Sequence, residues 1–312
     1  MKGRYFIFSL LVTGVFFFSK CKDENRPIVI NSDQEEENND NVIEAECQFS
    51  GVQDEYVACL NNLSESTLDI ATWNLEYFPT NGNTTLGLLQ DIIPNINADL
   101  IAVQEISNIS EFNRLVNNLD GWEGEVVNVG GSLDLGYLYK ICEIEIIESP
   151  SAVLNGSVEP RPAIQTKVYH STTDLEIVLF NIHLKCCGST GSSEANRRQA
   201  SSIALQNYIN TSLPNQNVIV LGDWNDDIGD GPFDNFLEDD GFEFADQSIA
   251  DGPSSDWSYA YSSQYLSHLD HILFSSELAD NFDGAETIIL DDCISNFSYN
   301  ISDHRAVLAR FK

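Results

Sequence analysis

From Leu68 onward, short apolar segments alternate with amphipathic ones. The apolar residues of the segment 68–74 recur with a period of about two, which predicts a strand. Residues 100–105 are apolar until their last two positions, which predicts a buried strand that ends in a carboxylate. Further strands are predicted at 125–129, 135–141, 143–148, 163–169, 175–184 (a hairpin with its predecessor, turning at 171–174), 217–221, 269–274 and 305–311. Helices are predicted at 84–93 (ended by Pro94), after a cap at Ser110, and at 193–209.

Many strands with few helices predict an α/β fold of two packed mixed β-sheets flanked by helices, a four-layer α/β/β/α sandwich. A chain of 312 residues is long enough for one large domain or two modest ones. One domain over residues 47–312 is the simplest interpretation.

The charge of the chain limits its partners. Fifteen Lys and Arg residues stand against 49 Asp and Glu, a formal net charge of −34. Such a surface repels polyanions, which disfavours tight binding of nucleic acid through a broad basic face. A local site that uses metal ions stays compatible with this charge, because a bound cation reverses the local electrostatics. A solubility adaptation to a salty exterior explains the acidity equally well.

The N-terminus predicts export. Lys2 and Arg4 precede the apolar run 5–18, as in a secretory signal peptide, which we place at residues 1–20. Cys21 resembles the lipid-acceptor cysteine of bacterial lipoproteins, although Lys20 departs from the small residues usual before it. Residues 21–46 are predicted to be an acidic flexible tether. We therefore expect an exported lipoprotein, anchored to the outer or cytoplasmic membrane and facing the periplasm or the cell exterior.

The cysteines fit an oxidising compartment. Seven cysteines less Cys21 leave six, an even number that favours disulfides over free thiols. Cys47 and Cys59 are expected to pair across a short loop. Cys186 and Cys187 are not expected to pair together, because adjacent α-carbons lie closer than disulfide geometry prefers. A metal–thiolate site is the alternative, disfavoured by the absence of a Cys-x-x-Cys spacing.

Polar side chains recur at the ends of the predicted strands. They are Asn74, Glu76, Glu105, His183, Asp223, Asn225, Asp270, Asp303 and His304. Each of these residues alone is explained as well by a position on the surface or in a turn as by a functional role. Together, in an acidic protein, they favour a site where oxygen ligands hold a hard cation and a histidine acts beside carboxylates.

Six motifs carry a resemblance. Thr72-Trp-Asn-Leu-Glu76, Gln104-Glu105, Asn181-Ile-His-Leu184, Leu221-Gly-Asp-Trp-Asn225, Leu269-Asp-His-Ile272 and Ser302-Asp-His304 resemble, in order, those of the endonuclease/exonuclease/phosphatase superfamily. The resemblance covers residues 68–312. It implies the same two-sheet sandwich and a metal-dependent hydrolase of phosphoesters.

The resemblance also implies roles. Metal ligands would be Asn74, Glu76, Glu105 and Asp303, for Mg²⁺ or alternatively Mn²⁺ or Ca²⁺, as one ion or two. Catalytic residues would be His183, Asp223, Asn225, Asp270 and His304. Asp270 would orient His304, and either His304 or Asp223 would take the proton from the attacking water. Arg161 and Asn181 would bind substrate, although Arg161 is equally compatible with a loop role and Asn181 with a strand cap.

The expected function is an exported divalent-metal-dependent phosphodiesterase, in the first place a nuclease, with a phosphoester substrate and no implied protein partner. A phosphomonoesterase or lipid phosphodiesterase on the same fold is the alternative, and a silent binding protein is one of another class. The aromatic stretch 256–261 would flank the site or pack on the sheet. Arg197 and Arg198 are predicted to form helix salt bridges, and His268 and His271 to be structural.

Overall fold

The computed structural model of the protein describes residues 53, 55–60, 66–262 and 265–312. The predicted signal peptide 1–20, the tether 21–46 with Cys21, and Cys47 lie outside these residues. Among the described helices, none combines the length and the apolar character needed to cross a membrane.

Fourteen strands and six α-helices are described. The strands are β1 (Leu68–Phe78), β2 (Leu100–Ile106), β3 (Trp122–Val127), β4 (Asp134–Lys140), β5 (Ile144–Val153), β6 (Ala163–His170), β7 (Leu175–His183), β8 (Val218–Asp223), β9 (Phe242–Phe244), β10 (Tyr259–Ser262), β11 (Tyr265–Ser267), β12 (Asp270–Ser275), β13 (Phe282–Ile288) and β14 (Ala306–Phe311). The helices are α1 (Asn83–Ile96), α2 (Ile109–Val116), α3 (Ser193–Ser212), α4 (Asp234–Leu237), α5 (Gln247–Ala250) and α6 (Phe297–Asn300).

The strands form two six-stranded mixed sheets and one small ribbon. The first sheet has the order β13-β14-β1-β2-β4-β3, and the second has the order β5-β6-β7-β8-β12-β9. Strands β1 and β2 run parallel, as do β7 and β8, whereas the other named pairs are antiparallel. Strands β10 and β11 form the ribbon. The predicted hairpin between β6 and β7 is present, with His170 opposite Leu175.

Three apolar clusters separate the layers. The central cluster lies between the two sheets and includes Ile70 of β1 and Leu179 of β7. An outer cluster packs α1 and α2 on the first sheet, and another packs α3 and α4 on the second. Successive residues of β1 therefore point to different clusters, because side chains alternate across a strand. The predicted four-layer sandwich is confirmed.

Two predicted helix boundaries are wrong. Helix α1 continues to Ile96 past Pro94, and the side-chain amide of Asn95 donates to the carbonyl of Asp91 at 2.7 Å. A proline so near the end of a helix costs few hydrogen bonds, because little helix follows it. Helix α2 is capped by Asn108, whose side chain accepts from the backbone N–H of Glu111, and Ser110 lies within the helix.

The predicted Cys47–Cys59 disulfide is also wrong, because Cys59 pairs with Cys293, 234 residues away. Both cysteines lie against the outer cluster of the first sheet, where Tyr56 and Leu60 are buried. Packing of segment 55–60 on that cluster brings the two sulfurs together. Cys142 is disulfide-bonded too, whereas Cys186 and Cys187 are free, so the even number of six does not mean that every one of these cysteines is in a disulfide.

Gly222 permits the close approach of β7 and β8. A Cβ atom at this position would lie 2.0 Å from the carbonyl oxygen of Ile182. Ile182 and Gly222 are register partners, and the next pair in the register is His183 and Asp223. The absence of a side chain at Gly222 therefore determines how closely these two polar residues approach each other.

We expect Gly222→Ala to destabilise the protein by about 3 kcal/mol or more, because the new methyl group meets rigid backbone. The control is Gly87→Ala in α1, where a Cβ meets nothing within 4 Å. That control should gain roughly 0.5–1 kcal/mol from helix propensity. Urea unfolding of both variants measures the difference, and equal stabilities would contradict the argument.

Candidate active site

The site lies where strands from both sheets end. Asn74, Glu76 and Glu105 lie at the carboxyl ends of β1 and β2, and His304 lies just before β14 in the same sheet. In the second sheet, Asp223 is opposite His183 of β7 on one side and opposite Asp270 of β12 on the other. The carboxyl ends of the parallel pairs β1/β2 and β7/β8 lie beside the amino ends of the antiparallel strands β14 and β12, which is why these side chains meet.

His304 and Asp270 form the shortest contact between the two sheets at the site. The Nδ1–H of His304 donates to Asp270 Oδ2 at 2.7 Å, and His304 is only 6% exposed. Ser302 Oγ accepts from the backbone N–H of His304 and donates to the carbonyl of Asn74 at 2.6 Å. Burial alone would lower the pKa of His304, but the charge and hydrogen bond of Asp270, followed by the charge of Asp223, raise it to about 10.

Asp223 is held from two sides. Its Oδ2 accepts from the amide of Asn74 at 2.9 Å, and its Oδ1 accepts from the backbone N–H of Asn225 at 3.0 Å. The Asn225 side chain donates to the carbonyl of Leu184. Burial raises the pKa of Asp223 to about 7, against the opposing charge of His304. Asp223 therefore titrates in the range where a general base works best.

His183 faces the same carboxylates. Its Nε2 lies 3.4 Å from Asp223 Oδ2 and 3.8 Å from Glu105 Oε1. Burial, and then the charge of Arg161, lower the pKa of His183 well below its ordinary value. Its Nδ1 is buried and has no hydrogen-bond partner among the described residues. His183 is therefore a neutral imidazole directed at the site.

Three carboxylates lie on the first-sheet side. Glu105 Oε2 accepts from the backbone N–H of Tyr77 at 3.0 Å, and its Oε1 lies 3.4 Å from the Asn74 amide nitrogen. Glu76 Oε2 accepts from the backbone N–H of Asp303 at 3.2 Å. Burial and then mutual repulsion raise the pKa of Glu76, and burial does the same for Asp303, where His304 opposes it.

These carboxylates fit a divalent cation. Oxygen donors that are partly buried and repel one another are stabilised when a hard cation lies between them. A tighter group is formed by Asp223, Asp270 and His304, whose nearest polar atoms lie within 4.8 Å of one another. The predicted metal ligands Asn74, Glu76, Glu105 and Asp303 lie together at the site. Among the described residues, their polar atoms are less closely grouped than those of Asp223, Asp270 and His304.

Several residues of the site have strained backbone conformations. Glu76, Tyr77, Glu105 and Asn225 have positive φ angles, from 39° to 61°. Non-glycine residues adopt this conformation rarely, and each one costs of order 1 kcal/mol or more. Strain at four positions around one site indicates that the placement of side chains, rather than the preferred conformation of the backbone, determines the local structure.

The two predicted substrate-binding residues lie in different places. Arg161 is half-buried, donates to the carbonyl of His183 at 3.3 Å and interacts with the charges of Glu105 and Asp223. Asn181 is 0% exposed and lies deeper between the sheets. Its amide donates to backbone carbonyls of the first sheet, and its oxygen accepts from Gln104 at 2.9 Å. Asn181 is thus not placed to contact substrate, because one strand repeat separates it from the site.

A second buried cluster lies behind Asp270. Asp246 Oδ2 accepts from His268 Nε2 at 2.8 Å and from His271 Nδ1 at 2.6 Å. The other nitrogen of His271 faces the carbonyl of Asp226 at 2.9 Å, which only accepts, so both nitrogens of His271 donate. His268 Nδ1 accepts from the N–H of Ser258.

All polar atoms of this cluster are therefore used by the protein, since Asp246 Oδ1 accepts from the backbone of Ile272. The arrangement is a hydrogen-bonded ion pair rather than a metal site, and His268 and His271 lie where a structural role requires. Ser258 Oγ accepts from the backbone of Leu269 and Asp270, so the cluster holds Asp270 in place. No sequence signal indicated Asp246, which belongs to no motif, or the role of Ser258, which lies in the aromatic stretch 256–261.

Two tryptophans anchor the strand ends. The indole N–H of Trp73 donates to the carbonyl of His304 at 2.9 Å. The indole N–H of Trp224 donates to the carbonyl of His271 at 3.1 Å, and its ring packs edge-on against Phe233 and Phe244. Each tryptophan precedes an asparagine of the site, which was the only sequence signal for this role.

The aromatic stretch flanks the site. The ring of Tyr259 lies 5.1 Å from the ring of His304, and the backbone N–H of Ala260 donates to the carbonyl of Asp303. Tyr261 is 58% exposed. The predicted salt bridges of the long helix are present but join it to other segments, since Arg197 pairs with Glu159 and Arg198 with Asp226.

Comparison with known proteins agrees with this geometry. The model of the Endonuclease/Exonuclease/phosphatase family matches residues 71–304. The chain belongs to this family. Its members are metal-dependent phosphoester hydrolases, and the protein is an enzyme of that class. The predicted resemblance is thereby confirmed. No curated protein sequence matches the chain significantly.

Several solved structures share the fold of this protein at low sequence identity. TDP2 of D. rerio, crystallised with a single strand DNA product, is 16% identical with a TM-score of 0.64, covering 80% of this chain and 100% of its own. The human Nocturnin catalytic domain with a bound sulfate anion is 15% identical with a TM-score of 0.61, covering 80% and 95%. A mannosyl-6-phosphatase of Bacteroides thetaiotaomicron is 15% identical with a TM-score of 0.59, covering 78% and 98%.

We expect Asp246→Asn to cost about 3–5 kcal/mol of stability, because it leaves buried imidazolium charge unpaired. Burial alone would lower the pKa of His271, but the charge and hydrogen bond of Asp246, with the hydrogen bond to the Asp226 carbonyl, raise it. Burial alone would raise the pKa of Asp246, but the charges and hydrogen bonds of His271 and His268 lower it. The His271 contribution is complete below about pH 6.5 and is lost as the pH rises through its folded pKa. The Asp246 contribution is present above about pH 4 and is lost on acidification.

The cost of Asp246→Asn should therefore be largest between about pH 4 and 6.5 and should shrink at alkaline pH. Urea unfolding at a series of pH values measures it. Asp251→Asn, at an exposed residue of the same segment, is the matched control and should change stability little. A cost that grows with rising pH would contradict the assignment of His271 as a cation.

Proposed function

We propose that the protein is an exported, Mg²⁺-dependent phosphodiesterase that cleaves its substrate by attack of water on phosphorus. The observation that supports this most is the hydrogen bond of 2.7 Å between Asp270 and His304, which links the two sheets directly beside Asp223. A histidine held by one carboxylate and faced by another has the arrangement of acid–base catalysis. The surrounding oxygen donors supply the place for the metal.

The residues that would hold the ion are Asn74, Glu76, Glu105 and Asp303. Their oxygen donors suit Mg²⁺, and Mn²⁺ or Ca²⁺ are the alternatives. When bound, such an ion supplies positive charge that stabilises the phosphoryl oxygens and the leaving oxygen.

The protein residues divide the remaining work. Asp223, with Asn225 beside it, orients the attacking water and accepts its proton, since its raised pKa of about 7 suits a base at neutral pH. His304 lies among Asp270, Asp223 and Asp303, which favours its protonated form, so its Nε2–H donates to a phosphoryl oxygen. His183 supplies a further polar contact on the phosphate side.

The substrate follows from the distribution of free positive charge. Ten Lys and Arg residues lie in the part of the chain that the structure describes. Eight of them form ion pairs with Asp or Glu: Arg114, Lys140, Lys167, Arg197, Arg198, Arg305, Arg310 and Lys312. The other two, Arg161 and Lys185, make no ion pair with a described residue, and both lie next to His183.

Within the described residues, positive charge without an ion pair is therefore concentrated at one point beside the site and does not continue as a track. A long polyanion needs many phosphate contacts to overcome repulsion by so acidic a protein. The arrangement favours substrates that present one or two phosphates, such as a nucleotide diester or a short single strand, over duplex DNA. The same observation favours a phosphomonoester as the second candidate, an activity that the name of the mannosyl-6-phosphatase states for that protein.

Export is the setting that fits this enzyme. The signal-like segment 1–20 predicts it, and the disulfide between Cys59 and Cys293 is compatible with an oxidising compartment. Attachment of lipid at Cys21 stays a prediction from the sequence. Fractionation of cells with and without Cys21→Ser would test it, since loss of the anchor should move the protein from membrane to soluble fractions.

Glu105→Gln and His304→Ala should each lower metal-dependent cleavage of bis(p-nitrophenyl) phosphate by on the order of 10²–10⁴-fold. Steady-state kinetics with Mg²⁺, Mn²⁺ and Ca²⁺ measure the loss. Glu277→Gln, at an exposed residue remote from the site, is the control and should keep full activity. Unchanged cleavage by both site variants would falsify the proposed mechanism. A panel of nucleotides, RNA, plasmid DNA, sphingomyelin and sugar phosphates then ranks the substrates.

Lys185→Met should raise KM by roughly 3–30-fold with a smaller change in kcat, because it removes a charged contact to substrate phosphate without touching the attacking water. Lys167→Met is the matched control, since Lys167 lies on β6 and is paired with Glu176. Equal KM values for the two variants would show that Lys185 does not contact the substrate.

A further inference from the structure

Two neighbouring free thiols lie beside the active site. Cys186 and Cys187 are unpaired, whereas the described cysteines Cys59, Cys142 and Cys293 are all in disulfides. The two thiols are carried by adjacent residues, and interaction with the Cys186 thiol is the largest cause of the raised pKa of Cys187. Cys187 is exposed, so the pair is open to reagents in solvent.

The segment that carries the thiols is firmly held. Arg198, which is 0% exposed, donates to the carbonyls of Lys185 and Cys187 at 2.8 Å and to that of Gly188 at 3.3 Å. Its guanidinium is itself paired with Asp226. Because this buried arginine donates hydrogen bonds to three carbonyls, it fixes the backbone of residues 185–188. The fold therefore determines the backbone position from which both thiols project.

The thiols are also near the groups proposed to bind phosphate. Lys185 Nζ donates to Cys186 Sγ at 3.7 Å. Cys186 interacts electrostatically with Arg161, and Cys187 does so with Tyr259, whose ring contacts His304. A change in the covalent state of the sulfurs therefore alters the hydrogen bond of Lys185 to Cys186 directly.

We propose that Cys186 and Cys187 are a redox site that forms a reversible vicinal disulfide and thereby controls the position of Lys185. The oxidant is a low-molecular-weight disulfide such as oxidised glutathione. One protein thiolate attacks it, forms a mixed disulfide and releases one glutathione thiolate. The neighbouring thiolate then attacks the protein sulfur of that mixed disulfide and releases the second. The protein loses two hydrogens, and one glutathione disulfide becomes two glutathione thiols.

The spacing of the pair makes the bond reversible. Adjacent α-carbons lie about 3.8 Å apart, below the range of about 4.4–6.8 Å that disulfides prefer. A bond formed there is strained, and strained exposed disulfides are the ones that small thiols reduce easily. The adjacency that argues against a permanent bridge thus favours a labile one.

Oxidation should release Lys185. A disulfide sulfur is a poorer acceptor than a thiol or thiolate, so the ammonium group loses its contact with Cys186 and binds phosphate without that competition. This step rests on the proposed function of Lys185, whereas formation of the disulfide does not. The oxidised enzyme should therefore have a KM lower by a few-fold, the effect of one hydrogen bond.

Intact-mass spectrometry of the folded protein tests the disulfide without reference to activity. With oxidised glutathione, the wild-type protein should lose the mass of two hydrogen atoms, and mild dithiothreitol should restore it. Cys186→Ser and Cys187→Ser should each gain one glutathione instead, because no second thiol resolves the adduct. A wild-type protein that keeps a stable glutathione adduct, or that does not react, would overturn the proposal.

Kinetics of the reduced and oxidised wild-type enzyme test the coupling. KM should fall on oxidation in the wild type, and oxidation should leave the KM of Lys185→Met unchanged. If the mass change occurs and KM does not respond, the redox site stands and the phosphate role of Lys185 fails. If neither protein forms the disulfide, the redox proposal fails, while the proposed phosphodiesterase remains open to its own tests.

Discussion

The register of β7, β8 and β12 is the constraint on which the site depends. It places His183, Asp223 and Asp270 side by side at one edge of the second sheet. The first sheet supplies Asn74, Glu105 and His304 to the same place, and the contacts among these groups cross from one sheet to the other. A slip of one residue in a strand would turn its polar group to the opposite face. Both the fold and the chemistry therefore rest on the same pairing of strands.

The cost of this arrangement is electrostatic. Carboxylates that are buried together repel one another and resist ionisation, which raises the pKa of Glu76, Asp223 and Asp303. The protein offsets part of this cost with fixed donors, namely the amide of Asn74 and the backbone N–H groups that face Glu105 and Asp223. The remaining repulsion is what a divalent cation relieves. The backbone strain and the electrostatic repulsion at the site thus have one explanation, since both result from grouping oxygen donors where a cation would bind.

Much of this was predictable because it is local. Period-two alternation located β1, and a polar group after an apolar run located Glu105 and Asp223. The depth of Asn181 was not predictable, because alternation gives the face of a strand and not the distance from its end. The Cys59–Cys293 bond joins segments with no local signal, and Asp246 acts from a short helix boundary outside any motif. Strand β13 was missed because its residues are mostly half-buried and show no clear alternation.

The buried contact between Gln104 and Asn181 has a wider consequence. It joins the two sheets by side chains within a mostly apolar interior, and both residues lie one step behind groups of the site. Sliding of one sheet over the other would break this contact before it displaced Glu105 from His183. The pair therefore keeps the two sheets, and with them the two halves of the site, in alignment. A mutational scan scored by activity would accordingly mark out a functional region larger than the surface that any substrate touches.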